Sequence, residues 1–297
     1  MKAAPVRGRP FILLSNIGIL LFVISFGCAL VRNVAYPCRL GLPGRLVVSF
    51  DIRNMKGFAG RVANCPGCGD GTQVDGINSF AVYYEDRDVE RPRFMMVMQN
   101  PGGTKGVAVS DEGKDLAQVG SSEEFVAMTR KYLSKWLKKS NRSFSESFFG
   151  ILKKYKLISY DNLDNYLDCD FYNHFLVTDL VKCRVATRDV DDKRGDLCGE
   201  RFLRTEIEKA KNVDLIFSFS TRTWRYMKGA YLASQGVLPT VVQAHGRLYR
   251  MDGCGKCIIP LAHFSRTMLQ KYLRLSYYQY FEEGVCDYAI LRGINSR

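Results

Sequence analysis

Arg93-Phe-Met-Met-Val-Met-Gln-Asn-Pro-Gly-Gly103 is the stretch on which the reading of the fold turns. Arg93 to Met98, carrying the apolar Phe-Met-Met-Val, reads as a buried strand, as found where helices cover both sides of a parallel sheet. The run stops at Gln99. Asn100-Pro-Gly-Gly then reads as a turn, because Asn and Gly tolerate left-handed backbone and Pro presets one dihedral. A buried strand ending in such a loop puts polar side chains at the carboxyl edge of the sheet, where open α/β sheets bind ligands.

The same alternation continues along the chain. Residues 80–84, 175–181, 214–219 and 257–261 read as further strands. Residues 121–139 predict a helix: Ser121 and Ser122 can cap it ahead of Glu123 and Glu124, and Phe125, Met128, Tyr132, Leu133, Trp136 and Leu137 fall at helical spacing. A second helical stretch carries Phe148, Phe149, Ile151 and Leu152, and others are expected over 199–211, 224–233 and 266–280. Strands alternating with helices predict a three-layer α/β/α sandwich with a mainly parallel central sheet. There is no internal repeat and no low-complexity tract.

The 297 residues carry 43 Lys and Arg against 30 Asp and Glu, a net charge of +13 that suggests a polyanionic partner such as nucleic acid. Residues 11–31 are uncharged and mainly apolar behind Lys2, Arg7 and Arg9, as in a signal anchor or a single membrane span. The competing expectation is a start at Met55, with 1–54 a leader outside the mature protein. Removing 1–54 takes away seven basic residues and one acidic one and leaves +7, so the basic character persists.

Ten cysteines fit either a disulfide framework or a reduced protein with a metal site. Cys65-Pro-Gly-Cys68 with the distant singles Cys183 and Cys198 provides four soft ligands in the grouping that a [4Fe-4S] cluster takes. Cys254-Gly-Lys-Cys257 offers an alternative, a zinc ribbon completed by Cys65 and Cys68. Spacing alone leaves both open. Cys28, Cys38, Cys169 and Cys286 read as structural thiols.

The flanking segments add a family. Phe175-Leu-Val-Thr-Asp-Leu-Val-Lys-Cys183-Arg and Cys198-Gly-Glu-Arg-Phe-Leu-Arg-Thr-Glu-Ile resemble the cluster-bearing uracil-DNA glycosylases of the family-4 type. The resemblance runs in motif order over about 64–281 and implies a glycosylase-like domain over 55–297 with an insertion around 104–170. It favours the cluster on Cys65, Cys68, Cys183 and Cys198 over zinc. It also implies a monomeric cytoplasmic enzyme of base-excision repair that acts on DNA without an organic cofactor. Membrane anchoring through 11–31 is the alternative location.

The resemblance assigns roles. Gln99 and Asn100 would position the water that attacks the sugar, in an Asn-type loop whose Pro101, Gly102 and Gly103 face substrate. Met98 replaces the usual first glycine, and Gln99 the family-4 glutamate. Ile258-Ile-Pro-Leu-Ala-His263-Phe-Ser265 is similar to the family's second motif, in which the histidine donates to the base O2 as charge develops on the leaving uracil. Phe264 stands where proline is usual, and Ser265 and Arg266 would contact phosphate. Asp179 occupies the place of an asparagine that accepts from uracil N3–H and donates to O4; an ionised carboxylate only accepts. Asp179 would therefore read the base in a weakened way or supply the carboxylate missing from the first motif. No Gly-x-Pro-Phe segment provides the stacking aromatic, which leaves Phe125, Phe144 and Tyr160 as candidates. The rival readings are a non-catalytic nucleic-acid-binding member of this fold and a membrane-anchored zinc-ribbon protein.

Overall fold

A computed structural model describes residues 51–68, 79–101, 119–185, 190–264 and 276–294, all within the compact unit Val48–Arg297. The 11–31 stretch lies outside them, as do Gly102, Gly103, Ser265 and Arg266. Among the described residues no helix is long and apolar enough to cross a membrane.

In chain order the principal elements are α1 (Gly57–Ala63), β1 (Phe94–Met98), α2 (Ser122–Lys135), α3 (Arg142–Lys154), β2 (Phe175–Asp179), α4 (Asp192–Cys198), α5 (Arg204–Lys209), β3 (Leu215–Phe219), α6 (Thr221–Tyr231), β4 (Tyr249–Arg250), β5 (Cys257–Leu261) and α7 (Ser276–Leu291). The sheet order is β2-β1-β3-β5-β4. All pairings are parallel except the antiparallel β4.

Alternate side chains of each strand enter opposite cores, which is why the strands read as continuous apolar runs. Met95, Val97, Leu176, Ile216 and Ile258 join α1, α5 and α6 on one face. Phe94, Met96, Val177, Phe217 and Ile259 join α3 and α7 on the other. This is the three-layer α/β/α sandwich with a mainly parallel central sheet.

Local chemistry fixes the helix starts. Ser121 accepts from Glu124 N–H at 3.2 Å, and Asp191 from Arg194 N–H at 2.7 Å; each satisfies one orphan amide of a first turn. Two expectations are corrected. Residues 80–84 form no strand: only Phe80 bridges the sheet region, to Cys183. The carbonyls of Val82 and Tyr83 are taken instead by Thr129 at 2.6 Å and Arg130 at 2.7 Å, side chains of α2. The helix expected from 199 begins at Asp192, capped by Asp191, and passes through a π-helical turn at Gly199–Leu203. The closing helix is described over Ser276–Leu291, with its buried stripe at Tyr277, Phe281, Val285 and Tyr288; positions 266–275 of the expected 266–280 helix lie outside the described residues.

Candidate functional site

The strand order puts β2 and β3 on opposite sides of β1. The strand order thus reverses at β1, and the crevice beyond its carboxyl end is the ligand position of such sheets. Gln99 and Asn100 follow β1, Asp179 ends β2 in register with Met98, and His263 follows β5, whose Leu261 pairs with Phe219 at the end of β3. Three segments far apart in sequence therefore deliver the expected site residues to one edge.

Two backbone bonds extend the β1–β2 pairing into the loops, Leu180 N–H to Met98 O at 2.8 Å and Val181 N–H to Gln99 O at 2.9 Å. The Asn100 amide donates to Val185 O at 2.8 Å and to Pro101 O at 3.0 Å. Its Nδ2 thus ties the first loop to the loop after β2.

Asp179 is buried, and neither carboxyl oxygen has a hydrogen-bond partner among the described residues. Burial pushes its carboxyl up to about 7, opposed by Lys182 and reinforced by Glu206. Lys182 does not neutralise it. That ammonium gives its donors to Glu206 Oε2 at 2.5 Å, Thr178 Oγ1 at 2.5 Å and the Asp179 backbone carbonyl at 2.6 Å. Thr178 and Tyr84 in turn donate to Glu206 Oε1, each at 2.5 Å. This closed network lies on the opposite face of β2 from the Asp179 carboxyl, because the side chains of adjacent strand residues alternate.

His263 is half-buried, stacked on Phe264 with centroids 4.9 Å apart, and burial lowers its pKa. Phe264 replaces a proline's stiffness by packing: it stacks on Phe144 at 3.9 Å and meets Phe219 edge-on at 5.4 Å. Phe144 is therefore a core residue, and so is Phe125, fully buried 4.7 Å from Phe80. Tyr160 packs on Tyr166, which packs on His174 just ahead of β2, at the amino end of the sheet. None of the three stacking candidates faces the crevice.

The cysteines are brought together in a pattern that spacing did not decide. The CxxC turn leaves α1 with Gly67 at φ +85°, a left-handed position that Pro66-Gly67 suits. Arg201, in the π-helical turn after Cys198, donates to Cys65 Sγ and to Gly67 O, both at 3.0 Å. The guanidinium is also coupled electrostatically to Cys68 and Cys198. Cys198 takes the Lys182 N–H on sulfur at 3.3 Å, and burial pushes its thiol up to about 12, with Cys183 and Cys68 adding to the rise. Cys183 is held by its bridge to Phe80. Cys257, by contrast, opens β5 opposite Leu215, at the amino edge of the sheet.

Among the described residues no three His, Cys, Asp or Glu side chains are already gathered into a closed metal-holding group. The donor chemistry nonetheless suits a soft cation. Four thiols approach from three segments, and N–H groups point at two of the sulfurs, as hydrogen bonds tune cluster thiolates. A bound cation would displace the proton that burial keeps on Cys198.

Sequence reading passed over several residues that shape this edge. His245 accepts the Ala262 N–H on Nδ1 at 3.0 Å, with Nε2 3.0 Å from Tyr277 O, so the second nitrogen carries the proton. Ser220 ends β3 at φ +97°, a strained position for a side chain. Its N–H reaches Leu261 O at 3.0 Å, while Thr223 reaches Met98 O at 3.3 Å, stitching the ends of β5 and β1 together. Ser220 carried a signal as the polar residue after an apolar run, and His245 one in the Gly246-Arg247 step that follows it. Comparison with known proteins assigns no family: no family model matches the chain, and no curated protein is significantly similar to it.

Proposed function

We propose that this chain is a DNA glycosylase of base-excision repair, which extrudes uracil or another deaminated or damaged base and hydrolyses its N-glycosidic bond. The observation that carries this reading is the delivery of Gln99 and Asn100, Asp179 and His263 to one carboxyl edge, beside Cys65, Cys68 and Cys198, which Arg201 and the Lys182 amide link, and Cys183 in the loop after β2. Gln99 and the Asn100 carbonyl hold the attacking water. His263, kept neutral by its burial, donates to the base O2 as negative charge develops there. Asp179 reads the base edge. DNA is the partner, in keeping with a net charge of +13.

Cys65, Cys68, Cys183 and Cys198 would hold a [4Fe-4S] cluster. Such a group acts here as a structural tie between the CxxC turn, the loop after β2 and α4. Protein purified anaerobically should show visible charge-transfer absorption and about four irons per chain, with iron lost on Cys198→Ser. It should release free uracil from a uracil-containing oligonucleotide, and His263→Ala should slow that release by about 10² to 10³. Zinc in place of iron would overturn the cluster, and failure to release any base from a panel of lesion oligonucleotides would overturn the enzyme.

A second reading, a nucleic-acid-binding member of this fold without catalysis, is favoured by one observation: the Asn100 Nδ2 is fully engaged by Val185 O and Pro101 O. Tight binding of uracil oligonucleotides without base release would select it.

A further inference from the structure

The carboxyl of Asp179 is the least compensated polar group at this edge. It ends β2 fully buried, with both oxygens unpartnered among the described residues. Four ionisable groups are coupled to it. Tyr83, from the segment before β1, faces it outside hydrogen-bonding geometry; Arg184, from the loop after β2, turns its Nε to Phe80 O at 3.3 Å. Lys182 has three donors, and all three are committed to Glu206, Thr178 and the Asp179 main chain. Glu206, from α5, is locked in that same network. Among the described residues no cation bonds the carboxyl oxygens, so an ionised Asp179 would be a buried charge without a hydrogen-bonded partner, whereas a protonated one is a neutral group with one donor and one acceptor.

A carboxylic acid offers O–H beside C=O, and an amide offers N–H beside C=O. Both match an N3–H donor next to an O4 acceptor. We infer that Asp179 reads the base in its protonated form, as an asparagine would, which makes recognition of a uracil-type edge depend on a proton held by this residue. The position of its titration near neutrality suits that role, because the proton would be lost within the physiological range. Deprotonation leaves two acceptors, one of which repels O4. The inference rests on the glycosylase reading of the same edge.

The test uses the full chain and two single-stranded oligonucleotides that differ at one site, 2′-fluoro-2′-deoxyuridine or 2′-fluoro-2′-deoxyadenosine. The fluorine slows bond cleavage, so that binding alone is read. Affinity is measured from about pH 5.5 to about pH 8.5, for the natural chain and for Asp179→Asn. The preference for uracil should fall about tenfold per pH unit above neutrality in the natural chain, as one linked proton requires. In Asp179→Asn it should be flat with pH and equal to the acid-side value. A uracil preference equally flat in both proteins overturns the inference and leaves the glycosylase reading standing. No uracil preference at any pH in either protein overturns both.

Discussion

His245 holds Ala262 by its main-chain N–H at 3.0 Å, one residue before His263, and Tyr277 holds the same residue by its carbonyl at 2.9 Å. The rings of the two holders meet at a tilt, with centroids 4.2 Å apart. Gly246, at φ +77°, lies so close to Tyr280 that a Cβ there would meet its carbonyl carbon at 2.3 Å, so the turn after His245 can approach α7 this closely with glycine at 246. Replacing His245 by Ala orphans one buried group, the Ala262 N–H. The expected loss is about 1–3 kcal/mol for this group left without water, measured by urea denaturation at pH 7.5.

Acid should weaken the fold through the two histidines. Burial lowers the pKa of both His245 and His263. The unfolded chain therefore binds protons first as pH falls through the ordinary histidine value of about 6.5, and stability drops below that pH. His245→Gln should shallow this slope. An unchanged slope would show that His245 is not held neutral.

Asp179 acts in the opposite direction. Its folded pKa of about 7 lies above the ordinary 3.8, so the unfolded chain loses the proton first as pH rises. Stability should fall between about pH 4 and pH 7 and level off beyond, at a cost of up to about 4 kcal/mol. Asp179→Asn should be more stable than the natural chain at pH 8 and no different near pH 3, by denaturant titration at both.

The Lys182–Glu206 pair is almost wholly buried, with each side chain 2 % exposed. Lys182→Met alone should cost about 3–5 kcal/mol by stranding the Glu206 charge, and adding Glu206→Gln should recover much of that loss. A double-mutant cycle read by denaturation distinguishes this from simple additivity.

Truncating Phe264 to Ala should cost about 3–5 kcal/mol, because its ring fills the space between Phe144, Phe219 and Trp136. Thermal unfolding reads the loss. Phe264→Pro, with the ring also gone, should not restore it.

The sheet was legible in the sequence because strands buried on both faces announce themselves as apolar runs; 257–261 coincides with β5, and 93–98 exceeds β1 by one residue. The 80–84 run misled because apolar side chains do not say which groups bond the main chain, and here α2 side chains take the carbonyls. The edge residues Gln99, Asp179 and His263 were legible as ends of those runs. Their supports were not. His245, Tyr277 and Lys182 act across 17 to 32 residues of chain through single hydrogen bonds, which leave no periodic trace. The aromatic candidates failed for a related reason: a ring that stacks on a base and a ring that fills a core are the same residue in a sequence.

Phe264 gives the His263 loop a stiffness that belongs to another part of the chain. A proline would carry its own restraint wherever it stood, whereas a phenylalanine is only as fixed as the rings beside it, and Phe144 is presented by α3. The helical segment between β1 and β2 is thereby recruited into the geometry of the carboxyl edge. Trimming it toward a minimal domain would loosen His263 from behind, without altering any residue that faces the crevice.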